Sequence, residues 1–162
     1  MTVRNGLVVI AFGDVRIRGI MPEFACEILT PYRRFFSGKV ESATFVTHDG
    51  QIEILANHES LVAPVGVGQL RLVVDGKVKR AAITEGFARV KGGQIDIFVD
   101  AAEWPEEIDL ERAERALGRA AKRLATETLA WRVEASKRSA ARAHNRIAVA
   151  RGEPTQPSSG TL

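Results

Sequence analysis

LRLVVDGKVKRAAITEGFARVKGGQIDIFV, residues 70–99, decides the fold. Apolar and polar residues alternate along LRLVV, VKRAAIT, ARV and IDIFV, the period expected of half-buried strands. Asp75-Gly76 and Gly92-Gly93 each separate two such runs. A two-residue Asp-Gly or Gly-Gly break is the strongest short-range signal for a β-hairpin, because both central residues must tolerate positive φ.

The same texture extends backwards through CEILT, VESATFVT and IEILA, with His48-Asp49-Gly50 as a further turn. From about Phe24 to Ala102 the chain therefore reads as a β-sandwich or barrel of seven or more short strands, about ten in all. At Trp104-Pro105 the texture changes, and Ile108–Val149 is rich in Ala, Arg, Glu and Leu, all good helix formers. Pro105 suits a helix start, and Glu106 and Glu107 favour the positive end of its dipole. Leu110, Ala113, Leu117, Ala120 and Leu124 recur at helical spacing, as do Leu129, Val133, Ser136, Ala140, Ala143 and Ile147. The fold class is α+β: a sandwich over 23–104, then an antiparallel two-helix hairpin over 105–151. Residues 1–22 read as an N-terminal extension and 152–162 as a Pro/Ser-rich tail, both expected to be disordered. The apolar run Leu7–Phe12 is six residues long, short of a secretory h-region, and Met21 is an alternative start.

The two helical stripes are narrow and largely alanine, so the hairpin buries little apolar area. At about 25 cal/mol per Å2 it is only marginally stable. Neither glycine nor proline occurs between Gly118 and Gly152, and the break near Ala125–Thr128 rests on the weak formers Thr126 and Thr128. A continuous helix there would reach about 50 Å. The sequence thus allows a folded hairpin and an extended rod.

Composition narrows the chemistry. The chain has 162 residues, 45% of them hydrophobic, a net charge of +3 and one cysteine, Cys26, which reads as a small buried hydrophobe in a reducing compartment. No apolar run is long enough to span a bilayer. There is no P-loop, no Cys/His cluster at metal spacing, no G-x-S-x-G and no H-E-x-x-H, so an enzyme active site is not expected. From Asp109 to Arg151 there are eleven basic and five acidic residues. Such a surplus suits an acidic protein partner or nucleic acid. Nucleic acid is the runner-up, disfavoured because Trp131 is the hairpin's one aromatic for stacking. Arg142 and Arg146 share a helix face, and a hairpin can bring Arg112 towards them. Converging guanidinium groups repel unless an anion sits between them, which suggests a phosphate site.

Over about Phe24–Arg151 the chain resembles the epsilon subunit of bacterial and chloroplast F-type ATP synthases. The resemblance is carried by EILTP (27–31), FSGKVES (36–42), residues 49–72, EGFARV (85–90), IDIFVDAAE (95–103) and IDLERA (108–113), in family order and spacing. It implies a non-catalytic central-stalk subunit whose sandwich binds the gamma subunit and the c-ring. The hairpin would lie against the sandwich or reach into the α/β head and block hydrolysis. It further implies a peripheral place on the cytoplasmic face of the inner membrane, with no nucleic-acid partner, and coupling of proton or sodium flow to ATP synthesis. No cofactor is required.

IDLERA is similar to the family's ATP-binding motif, which places Ile108, Asp109, Arg112 and Ala113 at a regulatory nucleotide, with or without magnesium. RAHNR is similar to the family's second-helix arginine pair and gives Arg142 and Arg146; Glu103 and Arg119 complete the implied set. Partner contacts are expected at His58, Arg132, Lys137 and Arg138. A coupling subunit without nucleotide regulation is the alternative within the family. The chain departs from the family pattern at Glu53, Ala56-Asn57, Glu85, which stands at a common glycine, and Arg89, which stands at a common acid.

Overall fold

The computed structural model describes residues 21–154 together with two short paired strands, β1 (Val3–Arg4) and β2 (Leu7–Val8). Within the N-terminal extension, expected to be disordered, Val3–Arg4 and Leu7–Val8 pair as strands; the rest of that expectation, up to residue 20, and that for the end of the tail fall on residues outside the described ones.

Ten strands form the sandwich: β3 (Phe24–Leu29), β4 (Arg34–Val40), β5 (Ser42–Thr47), β6 (Gly50–Leu55), β7 (Leu61–Val65), β8 (Gly68–Val74), β9 (Lys77–Ile83), β10 (Gly86–Lys91), β11 (Gln94–Val99) and β12 (Ala102–Glu103). They make two five-stranded sheets, β4-β3-β11-β10-β7 and β12-β9-β8-β5-β6. The sandwich read from the sequence is the fold observed. Both hairpins expected from their turns are present: Val74 pairs Lys77 across Asp75-Gly76, and Lys91 pairs Gln94 across Gly92-Gly93. All four turn residues have positive φ, between 51° and 77°, as a primed turn demands. β3 runs parallel to β11, with Ile28 opposite Ile97, so the first and last long strands lie side by side.

The period-2 pattern sends Phe24, Cys26, Ile28, Ile95 and Ile97 inward from one sheet and Phe45, Ile54, Leu70, Leu72 and Ile83 from the other. Burial pushes the Cys26 thiol up to about 12, with Asp96 and Glu27 adding to the effect. It packs as the small hydrophobe the sequence suggests.

A 3-10 turn, Pro105–Glu107, leads to α1 (Leu110–Thr126), and α2 (Ala130–Ala150) returns antiparallel to it. Asp109 is the N-cap of α1 and accepts from the Arg112 backbone N–H at 2.9 Å. α1 buries only Ala113 and Ala120, which confirms the narrow alanine seam. The break between the helices spans Glu127–Leu129. There the Glu127 carboxylate accepts the backbone N–H groups of Leu129 and Thr128, both at 3.1 Å, and these bonds hold its pKa low. At the far end Gly152, with φ 71°, closes α2: the Glu153 N–H reaches the Ala148 carbonyl and the Gly152 N–H reaches Val149.

Two glycines show how unevenly this fold tolerates change. A Cβ on Gly86 would sit 1.8 Å from the Phe98 carbonyl oxygen, a backbone atom that cannot step aside, whereas a Cβ on Gly118 meets nothing within 4 Å. Gly86→Ala is expected to destabilise by about 2 kcal/mol or more. Gly118→Ala, mid-helix, should stabilise by about 0.5–1 kcal/mol. Urea unfolding of the two variants checks both; equal midpoints would refute the packing account.

Candidate functional site

α1 presents Arg112, Ala116 and Arg119 on one face, at i, i+4 and i+7. That face, the stretch from Glu103 to Asp109, and Arg146 of α2 enclose a cavity of about 320 Å3, also lined by Glu107 and Ala113. The small alanines make the room, and the arginines and carboxylates line it. Arg146 donates through Nε to Glu103. Glu107 is held from outside by Arg33, at 2.7 and 2.8 Å, and by the Trp104 backbone N–H at 2.8 Å. Those donors hold its carboxyl below the usual carboxylate range. Among the described residues, neither Arg112 nor Arg119 has a carboxylate within ion-pair distance. Two guanidinium groups without a carboxylate partner among the described residues make this cavity a candidate anion site, although Glu103, Glu107 and Asp109 also line it; the planar fork of arginine suits phosphate.

Six of the residues expected at a nucleotide line this cavity: Glu103, Asp109, Arg112, Ala113, Arg119 and Arg146. Ile108 sits beside it, in the extended link between the 3-10 turn and α1. Arg142 stands apart. It donates to Glu85 of the sandwich through Nε at 3.1 Å and Nη2 at 2.8 Å. Between the two arginines Asn145 is buried, and its Nδ2 donates to the carbonyls of Gly68 at 2.8 Å and Ile83 at 3.3 Å. Sequence reasoning passed over Asn145; a lone Asn on the apolar side of an alanine-rich helix was the available signal. It also passed over the Arg33–Glu107 pair, which joins residues 74 positions apart.

The residues expected at protein partners are all exposed. His58 lies between β6 and β7, its Nδ1 2.8 Å from the Glu59 carbonyl. Arg132 stacks over Trp131 at 5.0 Å, Lys137 pairs with Glu134 at 2.9 Å, and Arg138 lies on the same half of α2. A second surface was not anticipated. Leu29, Phe98, Phe87 and Pro64 are register partners in sequence across four adjacent strands. Phe87 and Phe98 stack at 4.8 Å, and Phe87 is 47% exposed. An apolar row of this kind on a solvent-facing sheet is a candidate protein contact. The next row is polar except for the exposed Val62 opposite Arg89. There Arg89 binds Asp96 at 2.6 Å, and Gln94 binds the other carboxylate oxygen at 2.6 Å. Burial raises the Asp96 carboxyl, but these bonds outweigh it and leave it below its usual range.

The family of ATP synthase delta/epsilon chain β-sandwich domains matches residues 23–105. The ATP synthase epsilon chain of Caldicellulosiruptor bescii is 45% identical over 130 residues, 80% of this chain and 95% of its own length. That of Ruminiclostridium cellulolyticum is 42% identical over 127 residues, 78% and 95% respectively. Among solved structures, a chain of the Euglena gracilis mitochondrial ATP synthase OSCP/F1/c-ring assembly superposes with a TM-score of 0.68 at 25% identity, covering 83% of this chain and 84% of that one.

The Glu107 contacts have a pH signature. A carboxyl whose folded pKa lies below its ordinary value stabilises the fold above that value and loses the contribution as pH falls through the folded pKa. Wild type should therefore exceed Glu107→Gln in Tm at neutral pH. The gap should close below about pH 4.5, the group's ordinary pKa. With the side chain about a third exposed, the difference should stay under about 1 kcal/mol. A gap independent of pH would show that Arg33 does not act through the ionised carboxylate.

Proposed function

The chain belongs to the ATP synthase epsilon-chain family, and from that premise we propose a non-catalytic central-stalk subunit that couples ion flow to ATP synthesis and restrains hydrolysis through its hairpin. The sandwich supplies the standing contact with the stalk. Its Leu29–Phe98–Phe87–Pro64 row fits the apolar side of a gamma subunit, and the end that carries His58 faces partners at the c-ring. The hairpin supplies the restraint. Its exposed Arg132, Lys137 and Arg138 suit acidic segments of the α/β head once the helices swing away from the sandwich. The protein acts as a peripheral subunit of a membrane complex, on its cytoplasmic face; among the described residues no helix is long and apolar enough to cross a membrane.

The cavity between the hairpin and the sandwich carries the regulatory part of this reading. We infer that ATP, with or without magnesium, binds there to the docked hairpin. Arg112 and Arg119 of α1 and Arg146 of α2 would hold its phosphates, with Asp109 and Glu103 beside them. The supporting observation is that two unpaired arginines of one helix and one arginine of the other face a single cavity. A ligand there ties the helices together, and an extended rod would pull its contacts apart. A ligand shifts such an equilibrium only by its differential affinity for the two states. At ten times its dissociation constant it adds about 1.4 kcal/mol to the docked state. That is decisive only for a hairpin with a seam as thin as this one.

Calorimetric titration of the full chain with ATP tests the site. Arg112→Ala and Arg119→Ala should each weaken binding about tenfold or more, the worth of a charge-assisted phosphate contact. No heat from the wild-type chain at millimolar ATP would refute the site. In the assembled enzyme, removal of residues 106–162 should raise ATP hydrolysis and leave synthesis largely intact. Unchanged hydrolysis would refute the restraint.

A further inference from the structure

Arg142, Asn145 and Arg146 stand at i, i+3 and i+4, one face of α2, and each is bound to a different part of the sandwich. Asn145 takes two backbone carbonyls and Arg146 takes Glu103. Arg142 takes Glu85, in the short link between β9 and β10. That link is rigid. The Glu85 carbonyl accepts the Asp100 N–H at 3.1 Å, the Thr84 N–H donates to the Ala101 carbonyl at 3.1 Å, and Gly86 is pressed against the Phe98 backbone. Glu85 therefore offers its carboxylate from a fixed base. Both Nε and Nη2 of Arg142 fall on the same oxygen, Oε2.

We propose that Glu85 is a built-in counter-anion: it holds Arg142 so that the hairpin docks on the sandwich without any ligand, and it keeps Arg142 out of the cavity that Arg146 lines. The inference goes beyond the nucleotide reading and does not require it. Three observations support it. Arg142 is absent from the cavity lining although Arg146, one turn away, is part of it. The partner is a carboxylate of the sandwich, so the pair exists only while the hairpin is docked. The pair is half in water, with 41% and 34% of the two side chains exposed, so it can open and close reversibly. In this chain the balance between docked and extended hairpin then carries a term set by ionic strength as well as any set by nucleotide.

The test uses the full chain, spin-labelled at Lys79→Cys and Ser139→Cys, both exposed positions; the native Cys26, 1% exposed, stays unlabelled. Electron–electron distance distributions are recorded without nucleotide. Glu85→Gln should lower the docked-to-undocked ratio about two- to fivefold at low salt, the range for a part-exposed ion pair, and the effect should shrink as salt rises. Arg142→Gln, on an accessible helix face, should do the same and serves if the Glu85 variant unfolds. Combining Glu85→Arg with Arg142→Glu should recover docking relative to Glu85→Arg alone. An unchanged ratio in both neutral variants, or a swap that recovers nothing, overturns the proposal. A parallel ATP titration separates the two readings. A chain that binds no ATP yet loses docking in Glu85→Gln refutes the nucleotide site and leaves the counter-anion in place; ATP binding with docking unaffected by Glu85→Gln does the reverse.

Discussion

The hairpin lies where it does because Asn145 gives its two amide hydrogens to two carbonyls of the sandwich, those of Gly68 and Ile83. These residues face one another across β8 and β9, so one side chain fixes the position of a helix against two strands at once. The neighbouring ion pairs, Arg142–Glu85 and Arg146–Glu103, reach their partners only in that register. The cavity exists for the same reason, since Arg146 closes a space that α1 alone leaves open. A polar grip of this kind specifies position more than it adds stability, because each group gives up water to make its bond. Asn145 Oδ1, buried and without a partner, is a cost of that placement.

Much of this architecture could be read from the residues in order. The Asp75-Gly76 and Gly92-Gly93 turns are legible because their backbone geometry excludes most other residues. Asn57, beside His58, takes φ 64° as asparagine readily does. Asp109 is legible as a cap, and the alanine seam as a weak interface, since both depend on neighbours within a helical turn or two. What was hidden is long-range. Nothing near Arg142 in the sequence announces Glu85, 57 positions away, and the helical period alone assigns Arg142 and Arg146 to one destination. The sandwich separates them, because its carboxylates stand at different ends of the face that α2 crosses. Arg89 shows the same limit: an oddity in sequence, it is the partner of a buried aspartate in the fold.

Marginal stability of the hairpin follows from the same accounting. α1 buries only two alanines, α2 buries Ile147 and Val149 beside its polar contacts, and the turn is held by the Glu127 carboxylate with no obligatory breaker residue. Each feature leaves the folded hairpin with little stabilisation to spare. Among the described residues, the large side chains with almost no exposure belong chiefly to the sandwich; Val149 is the one contributed by the hairpin. The difference between the sandwich and the hairpin is therefore already present in where the apolar volume was placed.

The parallel pairing of β3 with β11 reaches further, into biosynthesis. A strand made first finds its neighbour only after some seventy more residues have been added, and contacts so distant along the chain are slow to form. On the ribosome, β3 must wait with one edge open while the intervening hairpins assemble.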